Sequence, residues 1–375
     1  MHRLRQTAAP AAIILAAVVV LVGVWFGPRA FDATLLLQDI AAGAGPSWLK
    51  SRTPAPSFAR RDPPAGSGAL ASDLYRGPAV AAGIVLVPGA DRRGRDDPRL
   101  TALARSLARS RFLVLVPDLP NLRQLRVRPS DAATVAAAVR QLAAEPGMAG
   151  RPLGIAAISY ALAPAILASL DADIRTRVDF IFGLGGFYAS LPVVRFFTTG
   201  AFRLPGDKAW RHLDPNAYGK WLFVRANSDV IDNPADRTTL AAMAGRRLDQ
   251  SDADIGDLAA MLGPEGRAVY ALVENRDPDR VPALIARLPP RIRDEMDALS
   301  PASHDLSRLH AELILVHGRN DAIVPFSESV ALAAAAPHAE LFLLDRLAHV
   351  DLRPSDWRDT LMLWRAAYAL VGFAR

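Results

Sequence analysis

The chain contains no cysteine. That absence removes disulfides, thiolate metal sites and a cysteine nucleophile together, so covalent catalysis must run through another group. Lysine is nearly absent as well: Lys50, Lys208 and Lys220 are the only three among 44 basic residues. The formal charge of +6 and the pI near 10.0 would ordinarily suggest a polyanionic partner. Here the arginines are scattered among acids rather than gathered in a stripe, and no RNA- or DNA-binding signature is present, so no nucleic-acid partner is expected. A P-loop, a G-x-G-x-x-G turn and an H-E-x-x-H helix are all missing. The acidic run holding Asp249, Asp252, Asp254 and Asp257 has its glycine in the wrong place for a calcium loop, with no glutamate at the twelfth position. No metal and no cofactor is expected.

What is present divides the chain. Between Arg5 and Arg29 lie 23 consecutive uncharged residues, most of them in the run AAIILAAVVVLVGVWF. An apolar helix of ~20 residues spans the hydrocarbon layer, so residues 1–29 read as an uncleaved transmembrane anchor. Arg3 and Arg5 before the run place the N-terminus in the cytoplasm and the catalytic domain on the outer side, periplasmic or extracellular. Residues 30–69 read as a juxtamembrane segment followed by a linker rich in Pro and Gly. From residue 70 short apolar runs alternate with helical stretches, which implies a mostly parallel, doubly wound α/β sheet. The rhythm holds over 70–186, breaks over 187–301, and resumes over 302–375. The middle block is helical in pattern and aromatic in its first part, from Phe187 to Phe223, which suits a cap inserted into the sheet domain.

The chemistry centres on LGIAAISYALAPAIL, residues 153–167. A buried strand ends at Ile158, Ser159 follows, and a helix begins at once. Ala157 and Ala161 stand two places either side of the serine, where a sharp strand-to-helix turn tolerates only small residues. Upstream, the VPGAD turn can aim the amide of Ala90 beside the amide of Tyr160, which follows the serine; two such amides suit a tetrahedral oxyanion. Downstream, Asp321 sits on the loop after a strand ending in His317-Gly318, where it could orient an imidazolium or simply close an Asx turn. His317 itself reads as structural. His349, in LAHVD after the last strand, is the candidate base, and the chain order Ser159, Asp321, His349 is the one the elbow arrangement requires.

With the elbow AISYA, the acid loop HGRNDAIVP and the base loop LAHVD in that order, residues 70–375 resemble an α/β-hydrolase. The resemblance implies an eight-stranded, mostly parallel sheet with one antiparallel strand and a cap after the sixth strand. It also implies a serine esterase or lipase working through an acyl-enzyme; the aromatic cap suits a small-molecule ester with an apolar acyl or alcohol group. Two positions depart from the pattern: alanines replace both elbow glycines, and VPGAD stands where many members carry His-Gly. A serine in the nucleophile position argues against dehalogenase or epoxide hydrolase chemistry, for which the resemblance implies aspartate. An acyltransferase of the same fold is the neighbouring reading, and a non-catalytic envelope scaffold is the reading from another class.

Overall fold

The computed structural model describes residues 27–63, 70–345, 347 and 356–375. Most of the segment read as a membrane anchor, residues 1–26, lies outside them, as does His349. Among the described residues no helix is long and apolar enough to cross a membrane.

Eight strands form the main sheet: β1 (Ser57–Arg61), β2 (Ser72–Arg76), β3 (Ala82–Val87), β4 (Phe112–Pro117), β5 (Leu153–Ile158), β6 (Phe180–Leu184), β9 (Glu312–Gly318) and β10 (Ala339–Leu344). A small hairpin, β7 (Ala201–Phe202) with β8 (Arg211–His212), stands apart. The order across the main sheet is β1-β2-β4-β3-β5-β6-β9-β10. β2 runs antiparallel to both its neighbours and every other pairing is parallel. The central strands bury both faces, which is why their sequences are continuous Val, Ile, Leu and Ala runs rather than alternating ones. Helices Ser130–Ala143 and Leu162–Ser169 cover one face, packed on Val85, Leu115 and Ile155. Helices Pro98–Arg109 and Trp357–Gly372 cover the other, packed on Ile84, Val114 and Phe180.

The sheet starts earlier than the strand rhythm predicts, inside the stretch read as a linker. β1 is an edge strand with four of its five residues exposed, so SFARR carries no apolar alternation. β2 buries Ser72 and Asp73. The Asp73 carboxylate takes Arg60 from the paired strand at 2.9 and 2.8 Å and Arg95 at 3.2 Å. An ion network therefore fills a position that periodicity assigns to a hydrophobe. The helix over residues 27–42 is likewise docked on the domain. Its Ala33 and Leu36 are buried, and Arg29 donates to the carbonyls of Tyr368 (2.7 Å) and Ala369 (3.1 Å) near the end of the last helix. A guanidinium there meets both the unsatisfied carbonyls and the negative end of the helix dipole.

Between β6 and β9 the chain builds the helical insertion. Its longer helices are Ser190–Thr199, Ala217–Asn227, Pro234–Asp249, Pro264–Val273 and Pro290–Leu299. They have their own apolar centre around Trp221, Leu240, Met243 and Leu262. Arg128, on a loop of the sheet domain, ties the insertion down through Asn227 (2.7 Å) and Asp229 (2.9 Å).

Glu328, in the helix Ser327–Ala335, braces the entry to the same insertion. Its Oε2 accepts the backbone N–H groups of Tyr188 (3.1 Å) and Ala189 (2.8 Å), just before the first cap helix. Burial pushes its carboxyl from an ordinary 4.5 up to about 7, the two N–H donors only partly opposing the rise. A raised folded pKa contributes stability that is fully present below the unfolded value and lost as pH climbs through the folded one. The wild type should therefore lose roughly 3 kcal/mol between about pH 4.5 and pH 7 on this residue's behalf. Glu328→Gln keeps an oxygen for both N–H groups and cannot ionise. Denaturant melts across that range should show the loss in the wild type and a flatter profile in the variant; parallel profiles would disprove the assignment.

Candidate active site

Ser159 occupies a left-handed backbone conformation, φ 57°. For a non-glycine residue this conformation costs roughly 1–3 kcal/mol and persists only where its surroundings enforce it. The enforcement is visible: β5 ends at Ile158, a single turn spans Ser159–Ala161, and the helix Leu162–Ser169 follows without a linker. Ala157 and Ala161 are wholly enclosed in the apolar core, so larger residues would find no room. Space for that helix also comes from β6 and the turn after it. A methyl group added at Gly183 would lie 2.8 Å from Leu162, and one at Gly186 would lie 2.3 Å from it. The run GLGG after the β6 apolar stretch was the only trace of this in the sequence.

The serine stands at the point where the sheet order reverses. From β3 the chain moves one way to β4 and then returns to the other side as β5, so the carboxyl ends of β3 and β5 flank a crevice. The turn Pro88–Gly89–Ala90 leaves β3 on one side of it. A methyl group on Gly89 would lie 3.3 Å from the Ile158 carbonyl oxygen and 3.7 Å from Ser159 Cβ, so this turn runs directly against the serine. Ala90 and Tyr160 both line the resulting cavity with Ser159.

Asp321 is fully buried on the loop after β9. Its Oδ1 accepts the N–H groups of Ile323 (2.8 Å) and Val324 (3.0 Å), the Asx turn that its sequence position allowed. Its Oδ2 lies 3.4 Å from His317 Nε2. That ring is held by Ser329 Oγ at Nδ1 (2.7 Å) and donates from Nε2 to the Val324 carbonyl (3.0 Å), with the tautomer fixed by that carbonyl. His317 thus shapes the acid loop, a role its place at the strand end had not revealed. The next residues, Ala322 and Ile323, face the Ser159 cavity. Burial, and after it the Asp321 charge, raises the Tyr160 phenol above its usual range.

Gly318 ties the acid loop to the segment that carries His349. A methyl group there would stand 1.9 Å from the backbone carbonyl oxygen of Leu347, two residues ahead of His349. Backbone cannot swing aside as a side chain can. Gly318→Ala should therefore displace Leu347, and if His349 is the base its sequence position suggests, a misplacement of about 1 Å there would cost on the order of 10²-fold in rate. Steady-state ester kinetics, with circular dichroism to confirm the fold, would test this; wild-type kcat/KM in the variant would contradict it.

The cavity measures about 650 Å³. Leu100, Leu103, Phe197, Leu222 and Phe223 give it apolar walls from both the sheet domain and the insertion. Tyr160 stacks on Phe223 (ring centroids 6.4 Å) and meets Phe187 edge-on (5.8 Å), joining the elbow to the insertion through aromatic contacts. Among the described residues no cluster of His, Asp and Glu could hold a metal ion.

Neither a protein-family model nor a curated protein matches this sequence. Solved structures of similar shape include dienelactone hydrolase from Anabaena variabilis ATCC 29413, 13% identical, covering 86% of this chain and 100% of that one with a TM-score of 0.46. A meta-cleavage product hydrolase from Pseudomonas fluorescens IP01 is 17% identical over 81% of this chain and 94% of that one (TM-score 0.39). An acylaminoacyl peptidase is 13% identical over 85% of this chain and 41% of that one (TM-score 0.47). The chain's own strand order, with its single antiparallel strand, is the firmer guide. The fold is α/β-hydrolase-like. Of the residues singled out from sequence, Ser159, Ala90 and Tyr160 come together at one cavity, and Asp321 lies on a loop that borders it.

Proposed function

We propose that the chain is a serine hydrolase that cleaves a carboxylic ester through an acyl-enzyme. The observation that carries this reading is the strained φ of Ser159 at a strand-to-helix turn beside Gly89, on the floor of an apolar cavity. Ser159 Oγ attacks the ester carbonyl while His349 takes its proton. The amides of Ala90 and Tyr160 stabilise the oxyanion, and Asp321 orients and offsets the imidazolium. His349 then returns the proton to the departing alcohol, and water repeats the sequence on the acyl-enzyme. Leu103, Leu222 and Phe223 suit an apolar acyl or alcohol group. A fluorophosphonate should form an adduct that peptide mass spectrometry maps to Ser159, and an adduct elsewhere would reject the nucleophile.

The proposal extends to location: residues 1–29 anchor the chain in the membrane, with the catalytic domain on the outer side. Phe31 and Trp48 support it, being 47% and 59% exposed and lying 5.5 and 5.3 Å from the Arg52 guanidinium. Exposed aromatic rings beside a basic group suit the headgroup layer, and Phe31 follows closely on the apolar run.

A further inference from the structure

A second cavity, of about 470 Å³, shares no lining residue with the one at Ser159. Its walls are the helix Ser190–Thr199, the β7–β8 hairpin and the start of the helix Ser327–Ala335. The charged groups facing it are mainly basic: Arg195, Arg203 and Lys208. Of the two acids there, Asp207 is engaged by Arg211 at 3.1 Å, and Glu328 has Oε2 committed to two backbone N–H groups.

Arg195 is the unusual member. Only 9% of it is exposed, and its Nε donates to the Pro278 carbonyl at 3.1 Å, which fixes the guanidinium by one edge. Other poorly exposed arginines of the chain have carboxylates: Arg95 has Asp62 and Asp73, and Arg128 has Asp229 and Glu295. Arg195 has no such ion pair among the described residues, although buried cations ordinarily find one. A second cation approaches instead. The Arg195 and Arg203 guanidiniums lie 4.8 and 4.4 Å from the ring centroid of Trp210, whose Nε1 donates to Asp279 at 3.3 Å. Burial, and then the charge of Arg203, lowers the Arg195 pKa against a smaller opposing pull from Asp279, so the two guanidiniums repel each other across the indole with that one carboxylate only partly offsetting it. An anion between them would remove that repulsion and use N–H edges already held in place.

We propose that this cavity binds a phosphate group, gripped by Arg195 and Arg203 with Lys208 at the rim. Two guanidiniums and an ammonium match a dianion better than a single carboxylate. The site is independent of ester cleavage, since none of its residues borders the Ser159 cavity. It can therefore stand or fall apart from the proposed activity.

The test titrates inorganic phosphate into the full chain in detergent, at constant ionic strength held with chloride, and follows the melting temperature. A ligand that binds only the folded state raises it saturably. The wild type should respond in this way. Arg203→Gln, on an exposed residue, should bind on the order of tenfold more weakly, and Arg195→Gln should lose the response. Both should keep the phosphate-free melting temperature within a few degrees, and Arg203→Gln alone suffices if Arg195→Gln does not fold. Comparing glycerol 3-phosphate with a short-chain phosphatidic acid separates a free phosphate ester from a lipid headgroup by which binds more tightly. No saturable response in the wild type, or an undiminished one in Arg203→Gln, would overturn the proposal.

Discussion

Ser159→Ala should leave the protein folded and lower kcat/KM for a p-nitrophenyl ester by on the order of 10⁴- to 10⁶-fold, with fluorophosphonate labelling lost. The variant isolates chemistry from structure because alanine retains the Cβ and tolerates the same left-handed backbone no better than serine does. The strain at φ 57° therefore stays in place. Only the hydroxyl is gone. Glycine makes the complementary change: Ser159→Gly should be as inactive as the alanine variant yet more stable than the wild type by about 1 kcal/mol, since glycine adopts positive φ freely. Inactivity together with a gain in stability would identify the backbone strain as the cost of presenting a nucleophile. Residual turnover within tenfold of the wild type in both variants would mean that another group attacks the substrate.

How much of this was legible in the sequence follows from how each part is buried. β3, β4, β5, β6 and β9 are covered on both faces, so their apolar runs stand out between turn residues, and β10, though half-buried at the other edge, keeps the short apolar run Leu341–Leu344. β1 lies at the edge with its side chains in solvent, and β2 exchanges hydrophobes for the Asp73 ion network; neither leaves a periodic trace. The elbow was legible because small residues around a serine have a steric meaning within one short segment. Its supports were not, because they depend on pairs distant in sequence: Gly183 and Gly186 against Leu162, Gly89 against Ser159, and Gly318 against Leu347. Glu328 was hidden for the same reason. Nothing near it in the chain reveals that it holds the backbone of Tyr188 and Ala189.

Asp321→Asn should lower kcat by about 10⁴-fold while leaving the melting temperature close to that of the wild type. The two outcomes separate because the two carboxylate oxygens have different tasks. Oδ1 closes the loop by accepting from Ile323 and Val324, and an asparagine oxygen can accept both bonds, though without the assistance of charge. What asparagine cannot supply is the negative charge that the proposed mechanism uses to offset the His349 imidazolium. Asp321→Ala adds a structural fault, since it strips the acceptor from two N–H groups; a buried one costs ~1–3 kcal/mol when left unsatisfied. The pair of variants thus assigns charge and loop closure separately. His317 does not compete for the role of base, although it stands 3.4 Å from the same carboxylate. It is wholly buried, its nitrogens are engaged by Ser329 and Val324, and it does not border the cavity where a substrate would sit. The proposed mechanism therefore assigns the proton from Ser159 to His349, which follows the last strand in the sequence. An Asp321→Asn enzyme that turns over esters within tenfold of the wild type would break that chain of dependence at its buried end.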